Sequence, residues 1–251
     1  MDGVMLRREI LAAVRAEIER ASPSSAAACL ATVVVGDNPR CHILARGKRS
    51  AAAEVGMRTV SVDLPATADA DDVTQAIAAL GEDPDVHGIF VQLPLPAHLD
   101  LDSLLELVPP VKDIDGMRPD GPHAPSTPLA VVRLLERYDV TISARRVVVV
   151  GRVRGIESLL SARGAQVIRT DDPAPAVCRE ADILVAAASR PGSIGSEHVR
   201  PGAAVVDVTG DVDLASVEAV AGAIAPYPAA VVPVTLACLL RNTLDAAKLD
   251  A

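Results

Sequence analysis

The sequence predicts an α/β protein of two domains, each a parallel sheet covered by helices. Three observations carry that expectation. β-Branched apolar runs alternate with Ala-, Leu- and Glu-rich stretches along most of the chain, the pattern of successive β-α-β units. Half of the 251 residues are hydrophobic, yet only Phe90, Tyr138 and Tyr227 are aromatic. The core must therefore be built from Ala, Val, Leu and Ile, which suits buried parallel strands better than an aromatic-rich sandwich. Between Pro109 and Pro128 the apolar period stops and Pro, Gly and Asp punctuate the chain, which reads as the connection between domains.

Taken in order, the expected strands are Leu30–Val35, Thr59–Leu64, Gly88–Leu93, Arg146–Val150, Gln166–Arg169, Asp182–Ala187, Ala203–Val208 and Ala223–Ala225. Each is a short apolar run rich in β-branched residues, bounded by turn formers. Helical patterns fill the intervals, including Met5–Ala21, Arg40–Val55, Ala70–Leu80, Leu129–Tyr138 and Val234–Lys248. The run Arg146–Val150 followed by Gly151 opens the second sheet in the manner of a dinucleotide-binding fold.

Composition excludes several classes of function. A formal net charge of −9 argues against nucleic acid, whose phosphates require a basic face. No apolar run reaches the roughly 18 residues that span a bilayer, and Met1 to Arg8 lack a signal-peptide pattern, so a cytoplasmic location is expected. Cys29, Cys41, Cys178 and Cys238 lack metal or disulfide spacing and read as reduced core residues. The five histidines show no ligand spacing either, so no metal site is expected. Of 24 basic residues only Lys48, Lys112 and Lys248 are lysines. A desolvated lysine can lose its proton and an arginine cannot, which makes each retained lysine a candidate for proton chemistry; chance retention is the plain alternative.

Several motifs carry candidate chemistry. Gly36-Asp37-Asn38-Pro39 is a turn into a helix, with Asp or Asn as cap and Pro at the first helical position. On that helix Leu44 and Lys48 share a face. Gln92-Leu93-Pro94-Leu95-Pro96 follows a buried strand, and ligands of open sheets bind beyond the carboxyl ends of strands. Pro94 and Pro96 bar a continuing central strand. Lys112-Asp113-Ile114-Asp115-Gly116 sets two carboxylates ahead of a glycine. Singly, each has a plain reading: Lys48 in a solvated Arg-rich helix face, Gln92 satisfying loop amides, Asp113 and Asp115 as turn acids.

Together, and in this order, the motifs resemble the N-terminal domain of the methylenetetrahydrofolate dehydrogenase/cyclohydrolase family. The similarity continues through Ser126-Thr127-Pro128, the strand before Gly151, Arg190-Pro191-Gly192, Val199-Arg200-Pro201-Gly202-Ala203, Thr235-Leu236-Ala237 and Asn242-Thr243-Leu244, and so covers nearly the whole chain. The resemblance implies a folate-binding catalytic domain of residues 1–120 plus 233–251 and a reduced Rossmann-like domain of 121–232. Between them a cleft would bind a tetrahydrofolate derivative carrying a one-carbon unit, and the protein would be a homodimer. By similarity Lys48 is the catalytic lysine, Gln92 its neighbour at the reacting centre, and Asp115 the carboxylate that pairs with the pterin's amino edge. Leu44, Leu93 and Pro94, with Tyr227, Pro228 and Val231 of a later loop, complete the expected substrate surface.

Departures from the family pattern cluster in two places. The family carries a Tyr four residues before its Lys, where this chain has Leu44. Tyr227, held between Pro226 and Pro228, is the aromatic best placed to cover a pterin in its stead; packing against the sheet end is the alternative. On the nucleotide side the residues expected to bind cofactor are Gly151, Arg152 and Asp171, the last 20 positions after Gly151, the usual distance for an acid on an NAD ribose. Here the loop is shortened, Val153 replaces a Ser, Glu157 puts a carboxylate near a helix N-terminus where a pyrophosphate would sit, and Ala229 and Ala230 replace glycines. Binding of NAD(P) is therefore doubtful on the sequence. Three functions follow: a folate-dependent one-carbon enzyme without a redox step, hydrolysing or delivering the carbon to a second small-molecule acceptor; a divergent NAD(P)-linked dehydrogenase/cyclohydrolase; and a non-catalytic folate-binding protein.

Overall fold

A computed structural model of the chain describes residues 1–21 and 28–249. The helices are α1 (Gly3–Arg20), α2 (Pro39–Glu54), α3 (Ala70–Glu82), α4 (Leu101–Leu107), α5 (Ser126–Arg137), α6 (Ile156–Ser161), α7 (Pro175–Cys178), α8 (Leu214–Val217) and α9 (Val231–Leu249). The strands are β1 (Cys29–Val35), β2 (Arg58–Leu64), β3 (Gly88–Val91), β4 (Arg146–Gly151), β5 (Gln166–Thr170), β6 (Ile183–Ala187), β7 (Ala204–Asp207) and β8 (Ala223–Ala225). The chain packs as two units, one of Ile10–Ala124 with Leu239–Ala251 and one of Met1–Glu9 with Pro125–Cys238. This division differs from the boundaries expected at 120 and 232: it falls within α1 and α9 and places residues 1–9 with the second sheet. Residues 22–27 and 250–251 of the expected first domain lie outside the described residues.

The first unit holds a three-stranded parallel sheet in the order β2-β1-β3. Every residue of β1 is buried, because both faces are covered. Ala31, Val33 and Val35 join Val73, Ile77 and Leu80 of α3 in the core on one side. Val34 meets Cys41 and Ala45 of α2 on the other, as the two-residue period of a strand demands. Asp69 and Asp72 form a capping box at α3, and Asp100 caps α4 through Ser103. The chain between Pro109 and Ala124 belongs to this unit instead of forming a loose connection. Lys112 is buried and donates to the carbonyls of Gly81 (2.9 Å) and Asp83 (2.8 Å) at the end of α3. Ile114 is fully buried against Gly88, where a Cβ would lie 2.8 Å from its side chain. This close approach sets Asp113 beside Ile89 in a parallel bridge and so lodges the acidic motif next to β3.

The second unit holds a five-stranded parallel sheet, β5-β4-β6-β7-β8. In order of appearance this is 2-1-3-4-5, a doubly wound arrangement whose strand order reverses at β4. Its core comprises Val148, Val150, Leu184, Ala186 and Val205 with Ile194 and Val217. Two buried acids organise the loops at the carboxyl edge. Asp207 accepts from the backbone of Gly210, Asp211 and Val212, and Asp211 accepts from Ala188, Arg190 and the Thr209 hydroxyl. No helix among the described residues is long and apolar enough to cross a membrane.

Candidate active site

In the first sheet the strand order reverses at β1, so a ligand crevice is expected beyond the carboxyl ends of β1 and β3. Both ends carry the sequence's motifs. After Val35 the chain turns at Gly36 (φ 97°), and the Asn38 side chain caps α2 by accepting from the Arg40 N–H at 3.0 Å. One face of α2 then presents Cys41, Leu44 and Lys48, spaced three and four apart. From β3, Phe90 and Gln92 project away from the core that receives Ile89 and Val91.

Lys48 and Gln92 meet. The Lys48 Nζ donates to Gln92 Oε1 at 2.8 Å and lies 4.2 Å from the centroid of the Phe90 ring. The Gln92 amide nitrogen donates to the Leu93 carbonyl at 2.8 Å, and its backbone N–H to Val33 at 2.8 Å. Those bonds leave the amide oxygen aimed at the lysine. Burial pushes the Lys48 ammonium down from its ordinary 10.5 to about 8, against the opposing pull of Asp115 and Cys41. A substantial neutral fraction at mildly alkaline pH is what a proton acceptor requires.

The two acids of the KDIDG motif divide their tasks. Asp113 is 2% exposed and accepts from the Arg118 N–H at 2.6 Å. Burial raises its carboxyl, with the backbone N–H groups of Arg118, Met117 and Gly116 pulling the other way; it holds the turn. Asp115 is half-buried and lines a hollow with Leu93, Leu101, Leu105 and Met117, a carboxylate on an apolar wall. Leu44 and Leu93 are exposed at 37% and 38%, large apolar side chains available to a flat ligand, and Pro94 follows Leu93 through a cis peptide.

Of the three lysines, Lys112 caps α3 and Lys248 pairs with Glu17; Lys48 alone lies at the crevice. Two neighbours escaped the sequence reading. Phe90 stands two residues before Gln92 on the same strand face, a signal that alternation could have supplied. Cys41, seven before Lys48, donates its thiol to the Leu93 carbonyl at 3.4 Å. The expected strand Gly88–Leu93 ends at Val91; the Gln92 N–H still bonds to Val33, and Pro94 and Pro96 have no N–H with which to continue.

Tyr227, Pro228 and Val231 belong to the second unit. The Tyr227 ring packs over Gly210, where a Cβ would lie 3.2 Å from it. Val231 is 1% exposed and begins α9, so its assignment to a substrate surface is corrected: its side chain is spent on the core.

The second sheet's crevice lies between the ends of β4 and β6. Gly151 (φ 92°) ends β4 against Ala187, whose carbonyl oxygen would be 2.1 Å from a Cβ there; only glycine permits that approach. Arg152 pairs with Asp171 at 3.4 Å, with side chains 76% and 57% exposed. Arg169 reaches Asp171 at 2.7 Å and Glu157 at 3.5 Å. The Glu157 carboxylate, expected to repel a pyrophosphate, thus has a cationic neighbour. A strand-order reversal, a glycine turn and arginines beside the acids of the rim fit an anionic dinucleotide. Among the described residues no cluster of His, Cys, Asp and Glu could hold a metal ion.

Comparison with known proteins adds to this geometry. Residues 1–115 match the model of the tetrahydrofolate dehydrogenase/cyclohydrolase catalytic domain, and residues 125–251 that of the corresponding NAD(P)-binding domain. The chain is 40% identical to the bifunctional protein FolD 2 of Frankia alni, over 100% of this chain and 98% of that protein. It is 36% identical to the bifunctional protein FolD of Geobacillus thermodenitrificans, over 99% and 96%. The crystal structure of the bifunctional FolD methylenetetrahydrofolate dehydrogenase/cyclohydrolase of Campylobacter jejuni superposes with a TM-score of 0.94 at 31% identity, covering 100% of this chain and 98% of that one. The Trypanosoma brucei enzyme, solved with NADP cofactor and inhibitor, gives 0.92 at 30%, covering 99% and 97%. The match of residues 125–251 to an NAD(P)-binding domain runs against the expectation of a degraded nucleotide site; the sequence reading weighed Glu157 without the arginines around it.

Proposed function

The chain belongs to the tetrahydrofolate dehydrogenase/cyclohydrolase family, and from that premise we propose that it is a working NAD(P)-linked methylenetetrahydrofolate dehydrogenase and cyclohydrolase. The observation that carries the catalytic half is the part-buried Lys48–Gln92 pair at the carboxyl end of the first sheet, with the lysine lowered to about 8.

Oxidation removes a hydride from the methylene carbon and leaves a methenyl cation; NAD(P)⁺ would supply the hydride acceptor. Gly151, Arg152 and Asp171 would hold it, with Gly151 admitting close backbone approach and Asp171 accepting from a ribose hydroxyl. For hydrolysis, water adds to the cationic carbon, one proton leaves and a carbon–nitrogen bond opens to give a formyl group. Neutral Lys48 is the group placed to accept that proton. A methenyl cation nearby disfavours the ammonium further, so the substrate itself primes the base. Gln92 fixes the direction of the Nζ, and Asp115 accepts two parallel N–H bonds from the pterin's amino edge. Leu44, Leu93 and Pro94 contribute the apolar wall.

A redox-free variant, hydrolysis or carbon transfer to a second acceptor, draws on one observation: α6 has six residues and carries Glu157 in its first turn, a meagre phosphate platform. The two are separated by supplying 5,10-methylenetetrahydrofolate with NAD⁺ or NADP⁺ and following reduced nicotinamide, then supplying the methenyl compound and following its hydrolysis. Both reactions are expected. Hydrolysis without reduction of either nucleotide would establish the redox-free variant, and neither reaction would refute the enzymatic reading.

A further inference from the structure

We propose that Phe90 is a positioning residue for Lys48: its ring face and the Gln92 amide oxygen together hold the lysine ammonium, and β3 thereby supplies the aromatic group that α2 lacks at Leu44. The inference deepens the reading of Lys48 as the reacting base and rests on it.

Three observations meet at this ring. The Lys48 Nζ lies 4.2 Å from its centroid and 2.8 Å from Gln92 Oε1. Phe90 lies in β3 and Gln92 directly follows it, its N–H still bonded to the Val33 carbonyl of β1, so one continuous stretch of backbone sets both contacts. Phe90 is also the sole Phe, Tyr or Trp of the first unit, since Tyr138 and Tyr227 both fall in the second. Any aromatic contribution from this unit therefore comes from position 90.

The physical consequence is specific. A ring's negative face stabilises a cation and not a neutral amine, so Phe90 favours the ammonium and limits its Nζ to a narrow region above the ring. Burial of Lys48 acts in the opposite direction. The ring thus sets how far the lysine's proton affinity falls, in addition to where its nitrogen sits. An aliphatic side chain of similar bulk would fill the space and leave the ammonium to burial alone.

Composition makes the test clean. Only three lysines are present, and only one phenylalanine. Lysine labelled with ¹³C and ¹⁵N gives three side-chain signals, of which the one lost in Lys48→Met is Lys48. Globally incorporated fluorophenylalanine alters position 90 alone. With the full-length protein, Lys48 should titrate near 8, and Phe90→Leu should lower that midpoint by about 0.5–1.5 pH units, whereas Phe90→Tyr should leave it in place. Progressive fluorination, which drains the ring face without changing the fold's packing greatly, should lower it stepwise, and this arm serves if Phe90→Leu does not fold. A midpoint indifferent to both fluorination and Phe90→Leu would overturn the proposal, even if Lys48 remains essential for turnover. Because the titration is read without substrate, loss of the catalytic reading would show separately, as absent turnover in a protein whose Lys48 titrates as expected.

Discussion

The two sheets present similar crevices and furnish them in opposite ways. In each, the first strand of the sheet lies between the second and third, so strand order reverses at β1 and at β4. At the β1/β3 end the polar groups are withdrawn from water: Gln92 is 4% exposed, Asp113 2%, and burial pushes the Lys48 ammonium down to about 8. At the β4/β6 end the charges stand in solvent, with Arg152 and Asp171 76% and 57% exposed. Buried groups held by strand backbone have their geometry and protonation set in advance, as bond making requires. Exposed ion pairs contribute little to the fold and can re-pair with an arriving anion. On the proposed function, the first crevice would carry the chemistry and the second would exchange a ligand.

The sharpest way to break this contrast is to remove the lysine charge from the first crevice. Lys48→Met should lower turnover of the methenyl compound by about 10²–10⁴-fold, the usual worth of a positioned proton acceptor, while calorimetry still detects folate binding. Retention of full activity would remove Lys48 from the catalytic role and leave the crevices functionally alike. Next in size is Asp115→Ala, which should weaken folate binding by about 2–3 kcal/mol, the cost of a lost charge-assisted pair. An unchanged affinity would mean that Asp115 serves the hollow beside β3 and not the ligand.

The same contrast explains what could be read from the sequence. Seven of the eight strands match the sequence expectation within one residue at each end, because parallel strands buried on both faces are unbroken apolar runs. Gly88–Leu93 overruns β3 by two residues, since Gln92 and Leu93 continue the apolar-looking run up to the prolines while the strand ends at Val91. Lys48, Gln92 and Asp115 stood out because their neighbours form a motif. Phe90 did not, because its importance arises only when α2 lays Lys48 over β3. The short helices α4, α7 and α8 lack enough turns to show a period. Lys112 and Asp113 were read as part of a connection, although both are buried; a polar residue whose partners are backbone groups leaves no trace in sequence. On the nucleotide side Glu157 looked repulsive because Arg169, twelve residues later, is adjacent only in space.

Acidity offers a graded test of the buried crevice. With Lys48 near 8, the neutral fraction rises about tenfold between pH 7 and pH 9, and the hydrolysis rate should rise with it and level above. The stability effect has a definite sign. The lysine's folded value lies below its ordinary 10.5, so between about 8 and 10.5 the unfolded chain binds more protons, and wild-type stability rises with pH across that window. Lys48→Met should lose this rise. Equal pH dependence in the two proteins, read from urea unfolding, would mean that the lysine is solvated and the contrast between crevices weaker than drawn.

The smallest effect is expected at the exposed rim, and its smallness is what gives it value. Asp171 accepts from Arg152 and Arg169, and the Arg152 hydrogen bond above all keeps its carboxyl below the ordinary value. Because the group is open to solvent, Asp171→Asn should leave the melting temperature within error, as exposed ion pairs generally do. What changes is the field met by a nucleotide. A carboxylate at the end of β5 can accept from a ribose diol and repels a 2′-phosphate. Its amide removes the repulsion and releases Arg152 and Arg169 to bind that phosphate. The ratio of NADP⁺ to NAD⁺ affinity, measured by calorimetry on the wild type and the variant, should rise a few-fold, comparable to the worth of one exposed ion pair. A large drop in melting temperature would show that the rim is structural after all. An unchanged ratio, with both nucleotides bound, would place the discriminating contacts elsewhere on the second sheet.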